Sequence, residues 1–150
     1  MLLRRAADSH VAFLGRIPGK RRFSDLAQHP DNERTPGVLA LRVESSLLYL
    51  NAESVLRAVL GRLCTEGGTV CLVVCNLSTS PYVDLAGEPM LANLSDELAN
   101  HHVAMRLAEA HAETRDLLRA EGLEAKVATI DRFTSIADVG EQFQQEAGCR

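Results

Sequence analysis

Several things are missing from this 150-residue chain, and each absence removes a class of function. No apolar run approaches the ~20 residues a helix needs to cross a bilayer. Met1-Leu2-Leu3 is too short for the apolar core of a secretory leader. The chain as given therefore reads as soluble, with no membrane span of its own. An excess of positive charge is also missing: 16 Lys and Arg face 20 Asp and Glu, for a net charge of −4. Nothing in that balance favours nucleic acid as a partner. Basic residues gather only locally, at Arg4-Arg5 and Lys20-Arg21-Arg22.

The four cysteines, Cys64, Cys71, Cys75 and Cys149, match no zinc spacing. Cys71 and Cys75 on one strand would lie roughly 13 Å apart, too far for a disulfide. They read as buried, reduced thiols in a reducing compartment. There is no GxxxxGK[ST] loop, no Ser/His/Asp or Cys/His arrangement, no internal repeat and no low-complexity tract. The expectation is a protein that is not an enzyme and holds no metal. With 46% hydrophobic and 24% charged residues, it is still an ordinary folding sequence with one core.

What is present centres on Val70–Leu98. The run Val70 to Cys75 is short, unbroken and rich in valine, as in a strand buried on both faces. A polar turn follows, Asn76 to Asp84, then Gly87 and a helix with Pro89 in its first turn. A strand feeding a loop at a helix N-terminus presents free backbone N–H groups beside a concave surface.

Around that stretch the pattern predicts further elements. Val11–Leu14 starts a strand, Phe23–His29 forms an irregular helical turn, and Val38–Val43 and Leu47–Leu50 are strands. Asn51 caps a helix running to about Thr65, with Val55, Leu56, Val59, Leu60 and Leu63 as its apolar stripe. The helix after the loop buries Leu91, Leu94 and Leu98. Val103–Leu107 alternates as a strand, and a helix from about Ala112 ends at Gly122. Val127–Ile130 reads as a last edge strand, and Ser135 caps a final helix with Ile136, Val139 and Phe143 inward. The order predicts an α/β fold. Its sheet has four to six strands, parallel in the second half, with helices mainly on one face. Residues 1–10 read as a tail, 11–146 as the domain and 147–150 as a C-terminal tail.

Leu14–Gly19 (LGRIPG), Phe23–Pro30 (FSDLAQHP), Pro36–Glu53 (PGVLALRVESSLLYLNAE) and Val73–Gly87 (VVCNLSTSPYVDLAG) follow in order. With LLRAEGL and IDRFTSIADV near the end, they resemble the STAS domain of bacterial sulfate-permease-type (SulP) anion transporters. The resemblance runs from about Asp8 to Phe143. It implies a STAS-like mixed sheet and a cytoplasmic regulatory module on the inner face of the bacterial inner membrane. It also implies partners: the membrane domain of the same transporter, a second STAS domain or an acyl carrier protein, or a guanine nucleotide (GDP or GTP) as a weak ligand. On this reading the chain is a piece of a longer protein.

The binding candidates are Asn76, Ser78, Thr79, Ser80, Asp84, Leu85, Ala86 and Gly87. The polar residues among them could donate to a phosphate, and more often such residues only satisfy the turn backbone. Asp84 suits bracing the loop or capping the helix, with ligand contact as the other reading. Sigma-regulator relatives, the alternative class, carry a phosphorylated Ser or Thr after the loop aspartate. Here Leu85 and Ala86 follow Asp84, so no hydroxyl is available there. His101-His102 and the His111, Glu109, Glu113 group read as surface residues rather than metal ligands.

Overall fold

The structure is a computed structural model that describes residues 11–44, 52–80, 87–128, 130–131 and 134–148. Five strands are ordered β2-β1-β3-β4-β5 in one mixed sheet. They are β1 (Val11–Arg16), β2 (Phe23–Asp25), β3 (Val38–Val43), β4 (Leu72–Asn76) and β5 (Ala104–Ala108). β1 runs antiparallel to both β2 and β3. β3, β4 and β5 are parallel, with Leu41 beside Cys75 and Cys75 beside Leu107. The helices are α1 (Ala52–Thr65), α2 (Gly87–Asn100), α3 (Ala112–Ala120), α4 (Glu124–Val127) and α5 (Ile136–Gly148).

The core lies in two layers because β4 is apolar on both faces. Val73 and Cys75 point into the larger layer, with Leu41, Val43, Met105 and Leu107 from neighbouring strands. Val55 and Val59 of α1, Leu91, Leu94 and Leu98 of α2, and Leu118 of α3 close that layer. Leu72 and Val74 point the other way, where Ala12, Leu14, Ala40 and Ala108 meet Ile136 and Val139 of α5. Among the described residues four helices cover one face and one helix covers the other, which is the expected architecture.

Three local expectations are corrected. Phe23–His29 is not a helical turn at its start: Phe23–Asp25 forms β2, with Leu14 opposite Asp25 and Arg16 opposite Phe23. An outer strand with unpaired backbone groups takes a partner where one is in reach, and Phe23 packs onto the smaller core layer. Val127–Ile130 is not a strand. Val127 closes the short helix α4, and Ile130 is anchored by its N–H donating to Glu124 Oε1 at 3.0 Å. Both side chains are fully buried. A four-residue apolar run has too little length to separate the two periods.

The thiols are the third correction. Among the described cysteines Cys75 is buried while Cys64 and Cys71 are exposed, and β4 starts one residue after Cys71. Cys71 instead donates its backbone N–H to Gly37 O at 2.8 Å. The Lys20-Arg21-Arg22 cluster lies on an exposed loop. Arg21 bonds Asp138 at 2.7 Å and also Glu141, tying the β1–β2 hairpin to α5. The strand read at Leu47–Leu50, the cap at Asn51 and both tails lie outside the described residues, save 147–148 in α5.

Helix α5 begins with a reciprocal cap. Asp138 Oδ2 accepts from the Ser135 N–H at 3.0 Å and from its hydroxyl at 2.7 Å, while Asp138 N–H reaches Ser135 Oγ at 3.2 Å. The Ser135 N–H, then its hydroxyl, then Arg21 hold the Asp138 carboxyl below its ordinary value. A carboxyl depressed by folding stabilises above its unfolded value, near pH 4, and the gain fades as pH falls through the folded value. Asp138→Ala should therefore flatten the stability-versus-pH curve below about pH 4, read by urea unfolding at a series of pH values.

Two glycines predict opposite outcomes. A Cβ on Gly15 would meet Leu26 Cδ2 at 2.7 Å and Asn32 Cβ at 2.8 Å, so Gly15→Ala should lose about 1–3 kcal/mol. A Cβ on Gly140, inside α5, would meet nothing within 4 Å. Gly140→Ala should gain about 1 kcal/mol from helix propensity. Chemical denaturation of the two variants beside the parent chain checks both signs.

Candidate functional site

The loop leaves the sheet at Asn76, the last residue of β4 and nearly fully buried at 4% exposure. Such a buried amide needs partners, and it finds two. Its Oδ1 accepts from the Ser78 N–H at 2.8 Å, forming an Asx turn, and its Nδ2 donates to the Glu109 carboxylate. Leu77 turns inward, fully buried, and its N–H donates to Ala108 O at 2.9 Å. Ser80 N–H closes the turn on Leu77 O at 3.0 Å.

The other side of the turn is tied to β3. The Thr79 hydroxyl donates to Val43 O, and the buried Ser80 hydroxyl reaches the same carbonyl at 3.5 Å. His111, just before α3, donates from Nε2 to Ser78 O at 2.6 Å. Residues 76–80 are thus bound to the ends of both neighbouring strands. Asn76, Thr79 and Ser80 spend hydrogen bonds on this scaffold, whereas Ser78, among the described residues, contributes its backbone. Asp84, Leu85 and Ala86 lie outside the described residues, and Gly87 opens α2.

Glu109 and His111 belong to this scaffold, and the sequence reading placed them only as surface residues. Both are indeed exposed, yet both hold the loop. The sequence offers no signal for Glu109 beyond its place directly after β5; in the structure it adopts φ 54, a left-handed conformation uncommon for a residue other than glycine.

Chemically the site has little to react with. Burial pushes the Cys75 thiol up to about 12, so no thiolate forms there at neutral pH. Glu88, in the first turn of α2, is held above the ordinary carboxyl range by desolvation first and by Glu121 second, against the pull of Lys126. Among the described residues no group of three His, Cys, Asp or Glu could hold a metal ion, and no helix is long and apolar enough to cross a membrane.

A sequence model of the STAS domain matches residues 29–138. Over 144 residues the chain is 29% identical to a probable sulfate transporter of Mycobacterium tuberculosis, covering 96% of this chain and 26% of that protein. Among solved structures, the murine Slc26a9 anion transporter in its inward-facing state superposes with a TM-score of 0.77. That match has 22% identity and covers 91% of this chain and 22% of that one. The STAS domain of a SulP transporter from Vibrio cholerae superposes at 0.63, with 17% identity over 83% of this chain and 94% of that domain. The chain spans about a quarter of the length of the M. tuberculosis protein.

The hydrogen bonds at the loop base make a concrete expectation. Asn76→Ala strands the Ser78 N–H and removes the tie to Glu109, at a cost of about 1–3 kcal/mol. Amide hydrogen exchange at Ser78 and Ser80 should accelerate while α1 keeps its protection. Unchanged exchange at both amides would show that the amide of Asn76 does not hold the turn.

Proposed function

The chain belongs to the STAS domain family, with homology to SulP-type sulfate transporters, and from that premise we propose that it is the regulatory, non-catalytic module of such a transporter. It acts by recognition at the loop 76–87. The observation that carries this reading is the anchored loop base: residues 76–80 are fixed to β3 and β5, so the segment that follows starts from a rigid platform beside α2. Fixing residues 76–80 lowers the ordering cost of binding at that base. The absence of a hydroxyl at residues 85 and 86 weighs against the phosphorylated partner-switching role.

The partners of this module are the membrane domain of the same transporter on its cytoplasmic side, with a second STAS domain or an acyl carrier protein as further protein partners. A guanine nucleotide would be a weak ligand at the same loop, because no lysine and no glycine-rich cradle is there to hold its phosphates.

The test uses the native protein in cells. Replacing residues 81–86 by a Gly/Ser segment should lower sulfate uptake several-fold while membrane abundance stays the same. Uptake equal to the parent protein would sink the docking role of the loop. In parallel, titrating GDP into the labelled 150-residue chain should shift amides of the loop and α2 only at millimolar concentration.

A further inference from the structure

A cavity of about 260 Å³ lies at the start of β3, between that strand, the end of α1 and the first half of α5. The parallel strands β3 and β4 run from here toward Arg42 and Asn76, so the cavity sits at the end of the sheet opposite the loop base. Its walls are mainly apolar, built from Leu14, Phe23, Leu26, Val38, Val70 and Ile136. Among the described residues its charged groups are Arg34, Arg62 and Glu66. A wider hollow of about 480 Å³ shares Phe23, Arg34, Pro36 and Gly140 with the cavity. Exposed Arg16, Glu33 and Glu141 border that hollow, which gives the cavity an approach from solvent.

Gly140 shows why the space stays open. It lies inside α5, where glycine costs about 1 kcal/mol relative to alanine. The residue is buried, yet a Cβ on it would meet no neighbouring atom within 4 Å. A buried position with open space in front of it faces a void, and packed cores leave few voids larger than a water molecule. A larger side chain at 140 would occupy part of this one. The helix therefore keeps a residue that weakens it at the point where the cavity needs room.

The charge at the wall is unbalanced. Arg34 Nη1 donates to Glu66 Oε1 at 3.1 Å, and Arg62 Nε donates to the same oxygen at 3.0 Å. Two guanidiniums against one carboxylate leave one positive charge beside an apolar space, and each guanidinium has further N–H donors beyond the nitrogen used here. Arg34 is exposed, which puts that charge on the open side. A dry cavity of about 150 Å³ admits benzene, so one of this size has room for about ten carbons. We propose that the cavity binds a monoanionic amphiphile, with an apolar chain or ring system inside and one anionic head at Arg34 and Arg62. Burial of the apolar part and a charge-assisted bond to the head supply the affinity. The inference is independent of recognition at the loop, which lies at the other end of the sheet.

The experiment titrates decanoate, below its micelle concentration, into the ¹⁵N-labelled 150-residue chain at constant ionic strength, with acetate and decanol as separate arms. Saturable shifts are expected at the amides of 35, 37–39 and 139–141 with decanoate, weaker binding at the same amides with decanol, and no shifts there with acetate. Gly140→Leu fills the space and should abolish the decanoate shifts while the spectrum keeps its dispersion. Arg34→Gln keeps a side chain of similar reach and leaves Glu66 paired with Arg62. It should weaken decanoate several-fold and leave decanol unchanged, which separates the head from the apolar part even where Gly140→Leu disturbs the helix. The absence of saturable decanoate shifts, equal shifts with acetate, undiminished decanoate affinity in either variant, or an equal loss of decanol in Arg34→Gln would each overturn the assignment.

Discussion

The whole arrangement depends on β4 being buried on both faces. A strand with Val73 and Cys75 facing one way and Leu72 and Val74 the other cannot be covered by helices on one side alone. Each face exposes apolar area worth roughly 25 cal/mol per Å² when removed from water. That requirement forces α5 to cross to the second face, although the four helices described before it pack on the first. It also fixes where β4 must stop. The strand ends at Asn76, the first position in that stretch with a polar side chain, and everything polar about the site begins there.

Much of this was legible in the sequence where a pattern was long enough to repeat. The strand Val38–Val43 has the expected bounds, and the helix carrying Leu91, Leu94 and Leu98 starts within a residue of where its pattern begins. Ser135 was readable as a cap because a serine three residues before an aspartate states its own chemistry. Phe23–Asp25 and Val127–Ile130 were not readable. Three or four residues do not distinguish a period of 2 from one of 3.6, and what decided both was tertiary: an unpaired edge beside β1, and a place for Val127 and Ile130 in the larger core layer. Cys71 failed for a related reason, since an apolar run shows where a strand is and not which residue opens it.

At the site, the legible part was the location and the illegible part was the partners. The polar turn after β4 could be placed from sequence, as could its reach toward a helix N-terminus. That Glu109 and His111 would come 33 residues along the chain to hold Asn76 and Ser78 could not be foreseen. Parallel strands bring such distant residues to the same end of a sheet, and only register says which ones meet. Here Asn76 lies beside Ala108, so the residue after β5 falls opposite the residue that begins the turn.

Glu109 does two jobs with one residue. Its carboxylate holds the Asn76 amide, and its backbone N–H donates to Thr134 O at 3.2 Å, at the approach to α5. Holding a residue with a Cβ in the left-handed region costs on the order of 1 kcal/mol, which the surrounding bonds must offset. In consequence the turn after β4 and the approach to α5 share one residue as a common contact, besides the bonds each makes elsewhere.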